Sequence, residues 1–587
     1  MANHRNSFTL IIILFLILTL LVSCSRYTAD ELNTGDLQIH DIQGCGHVSA
    51  YDGIHVAGIE GIVSSKTSKG FYLQDDKPDE LDCSSEAIYV FVNSYPEVIP
   101  GDRVMVSGLV NEFYPGGEEN YNLSITEIEK PEIKILSHNN TIPEAIVIGD
   151  GGRKIPGYVI DNDGLTTFDI SEDGIDFYES MESMIVQINS GIAVGPRNEF
   201  NEVVIIPEDV YGENTTSSAG ALIQLENDDN PERIILNMND NNVEEINVGA
   251  RLILPVKGIL DYSYGNFKVN TFGQVEFIEN NHPTESNEYD ENYLRVASYN
   301  VENLSRFDDN SKFRNIARII VTSLDAPDIV VLHEIMDDSG IEDDGTVTAE
   351  ETISKIIDAI SNAGGPNYAY IQTDPQNDKD GGIAGGNIRS VVLYRKDKEI
   401  QLADENLPNS FQSNPGTIGR SDEAFSGSRK PLVVLFNKGE DRVLFIAVHL
   451  TSRGADSPLF GRQQPILRPE ENQRIQQAKL IADFVEDYAN NDPDTRIVVA
   501  GDMNDDAWSQ TLMTLTSTTL IDLGTLLPQN ERYSYILDGN AIQLDYILTQ
   551  KVTGARDRFI IHHVNSLNDF SSIKSDHDAV VAYIDLK

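Results

Sequence analysis

Apolar residues in the first half of the 587-residue chain come in short runs punctuated by Gly, Pro and Asp, such as HVAGIEGIVSS (55–65), GFYLQD (70–75), AIYVFV (87–92) and DRVMVSGLV (102–110). These runs are β-branched or aromatic and show no helical period of useful length, which predicts strands. From position 294 the pattern changes. Strand-length runs (LRVASYNV, 294–301; PDIVVLHEI, 327–335; IRSVVLYR, 388–395; PLVVLFN, 431–437; VLFIAVHL, 443–450; TRIVVAGDMN, 495–504; QLDYILTQ, 543–550; AVVAYIDL, 579–586) alternate with helical patterns at 311–324, 348–363 and 472–489. In the last of these Ile475, Ala478, Ile481, Ala482 and Val485 share one face. Strands and helices mixed this way predict an α+β chain with a large C-terminal domain built on packed sheets.

The organisation follows from these patterns. Five strands with tight turns over 37–130 predict a small closed, OB-like β-barrel. The run Gly101–Val110 is partly echoed by Gly249–Leu260, which supports a second β-rich domain over 131–280. A polar stretch, ENNHPTESNEYDEN (279–292), contains the linker, placed at 281–290, and the C-terminal domain spans 291–587. At the start, a basic opening precedes the unbroken apolar run Phe8–Val22, which ends at Ser23 and Cys24. That is the shape of an export signal over 1–23. Leu21-Val22-Ser23-Cys24 also resembles a bacterial lipobox, in which Cys24 is lipidated and 24–36 tethers the protein to a membrane. An uncleaved anchor is the alternative, although the run is short for a span of ~20 residues. Export then predicts an oxidising compartment, where Cys45 and Cys83 form a disulfide or stay as two thiols.

Composition narrows the partners. With 94 acidic and 43 basic residues the net charge is −51, which excludes a basic nucleic-acid-binding scaffold. Hydrophobic residues make up 40%, enough to exclude global disorder. The charge is uneven: residues 1–290 carry −33 and residues 291–587 carry −18.

Polar residues at the ends of the C-terminal strands carry the candidate chemistry. Asn300, Glu334, Asp502 and Asp576 offer the oxygen ligands that a hard divalent cation takes. His449 and His577 are positioned for acid, base or phosphate-polarising roles, and Asp545 is the candidate to orient an imidazole. The ordered set ASYNVENL (297–304), LHEI (332–335), GGNIRSVVLYR (385–395), VHLTS (448–452), GDMND (501–505), LDYIL (544–548) and SDHDAVV (575–581) resembles the endonuclease/exonuclease/phosphatase superfamily, to which pancreatic deoxyribonuclease belongs. Segments 39–53, 60–75, 174–188, 260–269 and 533–548 look like one branch of it, the ExeM/NucH-like bacterial extracellular endonucleases, which carry an OB-like domain before the catalytic one.

The resemblance implies a two-layer β-sandwich flanked by helices for 291–587, and a metal at Glu334 with Asn300 and the Asp502/Asn504 pair beside it. It implies that Asp502 orients or deprotonates the attacking water, that His577 held by Asp545 faces the scissile phosphate, that His449 assists, and that Asp576 is a ligand or its neighbour. Which of His449, Asp502 and His577 is the general base stays open. His333 stands where the family commonly has Gln, and is read as packing rather than touching phosphate. Arg389 and Asn504 are candidate substrate contacts, with a salt bridge as the alternative for Arg389. Arg453, Arg462, Arg468 and Arg474 form a locally basic stretch read as a nucleic-acid backbone track, or as a solvated loop. The acidic loop 337–351 is read as solvated or as a weak cation site.

These features together lead to the expectation of a monomeric, secreted or membrane-tethered nuclease using Mg2+, with Mn2+ or Ca2+ as alternatives, on extracellular DNA, with RNA as an alternative substrate. Two other readings remain: a phosphodiesterase or phosphatase for lipid head groups or small phosphate esters, and a non-catalytic surface binding protein.

Overall fold

A computed structural model describes residues 37–587 except 80, 212–214, 239–244, 281, 283–292, 408–410, 412 and 587. The export signal, Cys24, the tether and all of the linker but His282 therefore lie outside the described residues. Among those described, no helix is long and apolar enough to cross a membrane.

Five strands close a barrel: β1 (His55–Lys66), β2 (Gly70–Gln74), β3 (Ala87–Phe91), β4 (Arg103–Phe113) and β5 (Ile125–Ser137), in the order β1-β2-β3-β5-β4. Strand β4 alternates buried and half-exposed positions over most of its length, so Val104, Val106 and Val110 join Val56, Phe71, Ile88 and Ile128 inside. The last strand runs across the expected boundary at 130, because its pairing with β4 continues to Ser137. Cys45 and Cys83 are disulfide-bonded with Cα atoms 5.1 Å apart. The bridge ties the short helix Ile39–Gln43 to the loop that leads into β3.

A nine-stranded sheet follows, from Ile146–Ile148 to Phe277–Ile278, over a core containing Val186, Ile205, Leu236 and Val269. The expected separation from the C-terminal region is not clean. Leu222–Ile223 leaves this sheet and pairs in parallel with Asn540–Ile542, at the edge of the hairpin formed with Tyr535–Leu537. Phe460, from the C-terminal region, sits in the core of the nine-stranded sheet. Arg197 also reaches across, with Nε 2.8 Å from Asp569 Oδ2 and Nη2 2.9 Å from Oδ1, both residues buried.

The C-terminal region is the expected sandwich. One sheet has six strands and contains Leu294–Leu304, Ile329–Ile335, Arg389–Arg395 and Ala579–Ile584; the other contains Leu432–Lys438, Asp441–His449, Arg496–Asp502 and Asp545–Gln550. Alternate residues face each other between the sheets, Val296, Val331 and Val392 meeting Val434, Phe445, Val498 and Ile547. The outward set packs under helices: Ala297, Val330 and Leu332 under Asn310–Arg318 and Glu350–Asn362, and Leu444, Ile446 and Val499 under Glu471–Asn491. Both faces of each sheet are covered, which is why these strands read as continuous apolar runs.

Candidate active site

Strand register assembles the site. His449 is paired with Asp502 across parallel strands, and Asp502 with Asp545 across antiparallel ones, so three polar residues from three strands stand side by side. In the facing sheet Asn300 is paired with His333, and the register then slips so that Leu304 lies opposite Ile335. Glu334 sits at this slip in the left-handed region (φ 62°), as do Glu302 (φ 52°) and Asn303 (φ 50°). The bulge turns Glu334 out of strand alternation toward the opposite sheet, at about 1–3 kcal/mol for such a backbone in a non-glycine residue. Close approach is needed on the other side too: a Cβ on Gly501 would lie 1.7 Å from the Val448 carbonyl oxygen. Only glycine lets these neighbouring strands bring His449 and Asp502 together.

The side chains converge on Asn300. Its Nδ2 donates to Glu334 Oε1 (3.1 Å) and Asp502 Oδ2 (3.2 Å). Glu334 Oε2 accepts the backbone N–H of Asn303 (2.9 Å), and Asp502 Oδ1 that of Asn504 (2.9 Å). His449 Nε2 lies 3.8 Å from Glu334 Oε1 and 3.7 Å from Asp502 Oδ2. His577 Nε2 approaches the same Asp502 oxygen at 3.9 Å, while its Nδ1 is 2.8 Å from Asp545 Oδ2. A carboxylate accepts only, so the Nδ1 proton points at Asp545 and Nε2 is turned to the site. Ser534 Oγ holds the same Asp545 oxygen from the other side (2.8 Å).

Burial and charge separate the two histidines. Burial opposes charge on His577, but Asp545 and Asp502 outweigh it and hold its pKa well above the usual value. His449 is pushed well below by burial and by Arg429, His333 and His577. One ring is therefore an imidazolium and the other a neutral imidazole at neutral pH. Burial lifts the Asp502 carboxyl to about 6, with His577 pulling the other way.

The other expected residues divide. His333 is fully buried between Ser298 Oγ (3.2 Å) and Ser390 Oγ (2.8 Å), in a packing role. Asn504 donates Nδ2 to the Leu450 carbonyl (3.2 Å) and stands at the edge of the site. Asp576 does not join Glu334 and Asp502 in these contacts; its charge bears on the neighbouring Tyr535, whose pKa is raised by burial and further by that charge. Arg389 is committed to Asp374 (3.0 Å) and to the carbonyls of Val347 and Asn387, so the salt-bridge alternative describes it.

The basic track is corrected as well. Arg453 pairs with Asp456 and Asp506, Arg468 with Asp506, and buried Arg474 with Asp505. Arg462 reaches Glu118 beside the barrel. These guanidiniums brace the loop after GDMND instead of forming a free cationic strip. In the acidic loop, Asp338 caps the helix Glu350–Asn362 by accepting the N–H groups of Glu351 and Thr352.

Sequence reasoning missed Arg429, Ser534 and Tyr535. Arg429 is buried within the field of Glu334 and Asp502 and borders a cavity of about 40 Å3 with Arg389, Arg420, Lys430 and Ser390. Tyr535 lays its ring 4.8 Å from that of His577. The available signal was the place of Arg429 in a polar break, SRKP (428–431), before a predicted strand, and that of Ser534 and Tyr535 at the start of the recognised segment 533–548.

Residues 297–577 match the endonuclease/exonuclease/phosphatase family. The match covers most of the C-terminal region and a little under half of the chain. Its members are hydrolytic phosphoesterases, nucleases and phosphatases, and typically use a divalent metal. Residues 141–279 match a family described as a domain of unknown function. No curated protein matches the chain. Similar solved structures include truncated TDP2 from Caenorhabditis elegans (15% identity, 50% of this chain and 97% of that chain, TM-score 0.34). The human Nocturnin catalytic domain with bound sulfate has 14% identity, 50% and 94% coverage and a TM-score of 0.34. An endonuclease/exonuclease/phosphatase family protein from Leptotrichia buccalis has 16% identity, 50% and 99% coverage and a TM-score of 0.34.

The donor set fits a metal of that kind. Glu334 and Asp502 offer carboxylate oxygens on either side of the Asn300 Nδ2, where a hard cation would offset their charge, while the Asn300 Oδ1 accepts the Glu302 N–H at 3.0 Å and would need an amide flip to serve as a ligand.

Proposed function

We propose that the protein is an exported, membrane-tethered, divalent-metal-dependent nuclease that hydrolyses phosphodiester bonds of extracellular DNA with low sequence specificity. The observation that carries this reading is the convergence of Asn300, Glu334, His449, Asp502 and the Asp545–His577 pair at the ends of strands from both sheets. Mg2+ is the proposed ion, held by Glu334 and Asp502 with Asn300; when bound it would neutralise charge on the phosphoryl oxygens.

The chain's own residues supply the rest. Asp502 is oriented by Asn300 and Asn504 to take the proton of the attacking water as its oxygen bonds to phosphorus. The bond from phosphorus to the leaving oxygen breaks, and His577 presents Nε2–H to that oxygen while Asp545 supports the ring. Neutral His449 lies near both carboxylates and serves as a hydrogen-bond partner to the phosphate. Buried Arg429 provides fixed positive charge beside the site.

The N-terminal half is proposed as an OB-fold domain, on its strand order, followed by a second β-rich unit. With −33 over residues 1–290 it is a spacer and brace rather than an electrostatic funnel. Cys24 is the proposed lipid attachment point, and the molecule is proposed to act as a monomer at the cell envelope.

The test is a substrate panel of circular DNA, linear DNA, RNA and a chromogenic phosphodiester, with and without EDTA. Circular DNA is expected to be cut only with metal, and Glu334→Ala and His577→Ala are expected to lose about 10²–10⁴-fold in rate. Cleavage by both variants at the wild-type rate would remove the assignment. Turnover of the small ester without DNA cleavage would favour the phosphodiesterase reading.

A further inference from the structure

Outside the active site, the carboxylates of Asp161, Asp163 and Asp173 each place an oxygen within 4.8 Å of the other two. We propose that this cluster binds a hard divalent cation of the Ca2+ class, in a structural role separate from the catalytic ion.

The local fold builds the cluster on purpose-shaped backbone. Val159 and Asp173 form a parallel bridge, and the N–H groups of Gly174 and Ile175 donate to the carbonyls of Val159 and Ile160, both at 3.0 Å. These contacts close the intervening loop and bring its two acidic ends together. Asp161 accepts the N–H groups of Gly164 (2.7 Å) and Leu165 (3.1 Å), and Asp163 accepts that of Thr166 (2.8 Å). The Asp-Asn-Asp-Gly run has the acid spacing and turn glycine found in calcium loops, with Gly164 at φ 72°. It is not an EF-hand, because the positions that would open and close such a loop are Val159 and Ile170.

A second observation points to a ligand. Asp173 is only 2% exposed, and its Oδ1 is buried without a hydrogen-bond partner. The charges that bear on it are those of Asp176, Asp161, Asp163 and Asp169, all acidic. Asp176 by contrast is satisfied, by His47 Nε2 (2.6 Å) and by the Asp169 N–H (2.5 Å). A buried carboxylate with an oxygen that has no donor, on a residue clustered with two further carboxylates, is an arrangement that a cation completes. All-oxygen donors on a loop suit Ca2+, whose coordination is flexible.

The site stands at a junction. A Cβ on Gly164 would lie 3.7 Å from the Gln464 carbonyl oxygen, and one on Gly174 3.6 Å from the Phe460 ring. The 161–173 loop thus rests on the C-terminal region's 460–464 segment, and the ion would stiffen that contact.

The inference does not depend on the nuclease reading, because it is read by metal binding without substrate. Full chain stripped with chelator would be titrated with Ca2+ by calorimetry and melted with and without Ca2+, as wild type, Asp161→Asn/Asp163→Asn, Asp173→Asn and Glu334→Gln. Wild type and Glu334→Gln are expected to bind Ca2+ and melt at higher temperature with it. Both loop variants are expected to bind at least about tenfold more weakly and to lose the thermal shift. Asp173→Asn removes a buried unpartnered charge, so in chelator it is expected to melt no lower than wild type, which guards against misfolding as the cause. An undiminished calcium shift in both loop variants, or its loss in Glu334→Gln alone, would overturn the proposal.

Discussion

At the scale of single residues, the site depends on how each polar group is held. Asp545 has no direct contact with Asn300 or Glu334 among those described above, yet it decides which His577 nitrogen carries the proton toward the strand and which faces Asp502. Asp545→Asn keeps the shape and removes the charge that supports the imidazolium. It is expected to reduce phosphodiester cleavage by about 10²–10⁴-fold while circular dichroism and melting temperature stay near wild type, which a rate assay beside a thermal melt would check. Most of these residues were legible beforehand because a strand-end His, Asp or Asn interrupts an apolar run that has no packing use for it. Arg429 was not, since one arginine in a polar loop looks like any other until folding buries it beside Glu334 and Asp502.

At the scale of elements, strands supply position and irregularities supply direction. The register slip at Glu334 and the close contact at Gly501 are invisible to hydropathy, because a bulge changes the backbone and leaves the apolar pattern intact. The arginines after VHLTS show the opposite limit. Their local density read as a cationic strip, but Asp456, Asp505 and Asp506 neutralise three of them in the folded chain. The disulfide is another element-level device, joining positions 38 apart and holding the Ile39–Gln43 helix to the barrel. Replacing both cysteines by serine is expected to lower stability by about 2–4 kcal/mol, read by denaturant unfolding, with little change in cleavage rate.

At the scale of the whole molecule, the halves are joined by more than a linker. The strand pairing of Leu222–Ile223 with Asn540–Ile542 supports the hairpin that carries Tyr535 to His577, so the N-terminal half helps to shape the site. The buried Arg197–Asp569 pair crosses the same junction. Arg197→Ala strands a buried carboxylate and is expected to cost about 3–5 kcal/mol in a denaturant melt. Glu232 adds a pH dependence. Both its carboxylate oxygens are buried without partners, and burial pushes its pKa up from 4.5 to about 8. The folded chain therefore keeps a proton that the unfolded chain releases, and the stabilisation present below about 4.5 is lost as pH rises through about 8. Glu232→Gln is expected to gain stability relative to wild type between pH 5 and pH 8.5, by at most ~1.4 kcal/mol per pH unit, measured by parallel melts.

The sequence by itself determined the α+β class, the first four barrel strands, the main strands of the C-terminal sandwich and the list of polar strand ends, because periodicity and interruption are local properties of the chain. The closed barrel order, the bulge that aims Glu334, the neutralised arginines and the strand shared between halves were decided by tertiary structure alone. Each depends on which distant segment becomes a neighbour, and hydrogen-bond register and burial set that only when the chain is folded.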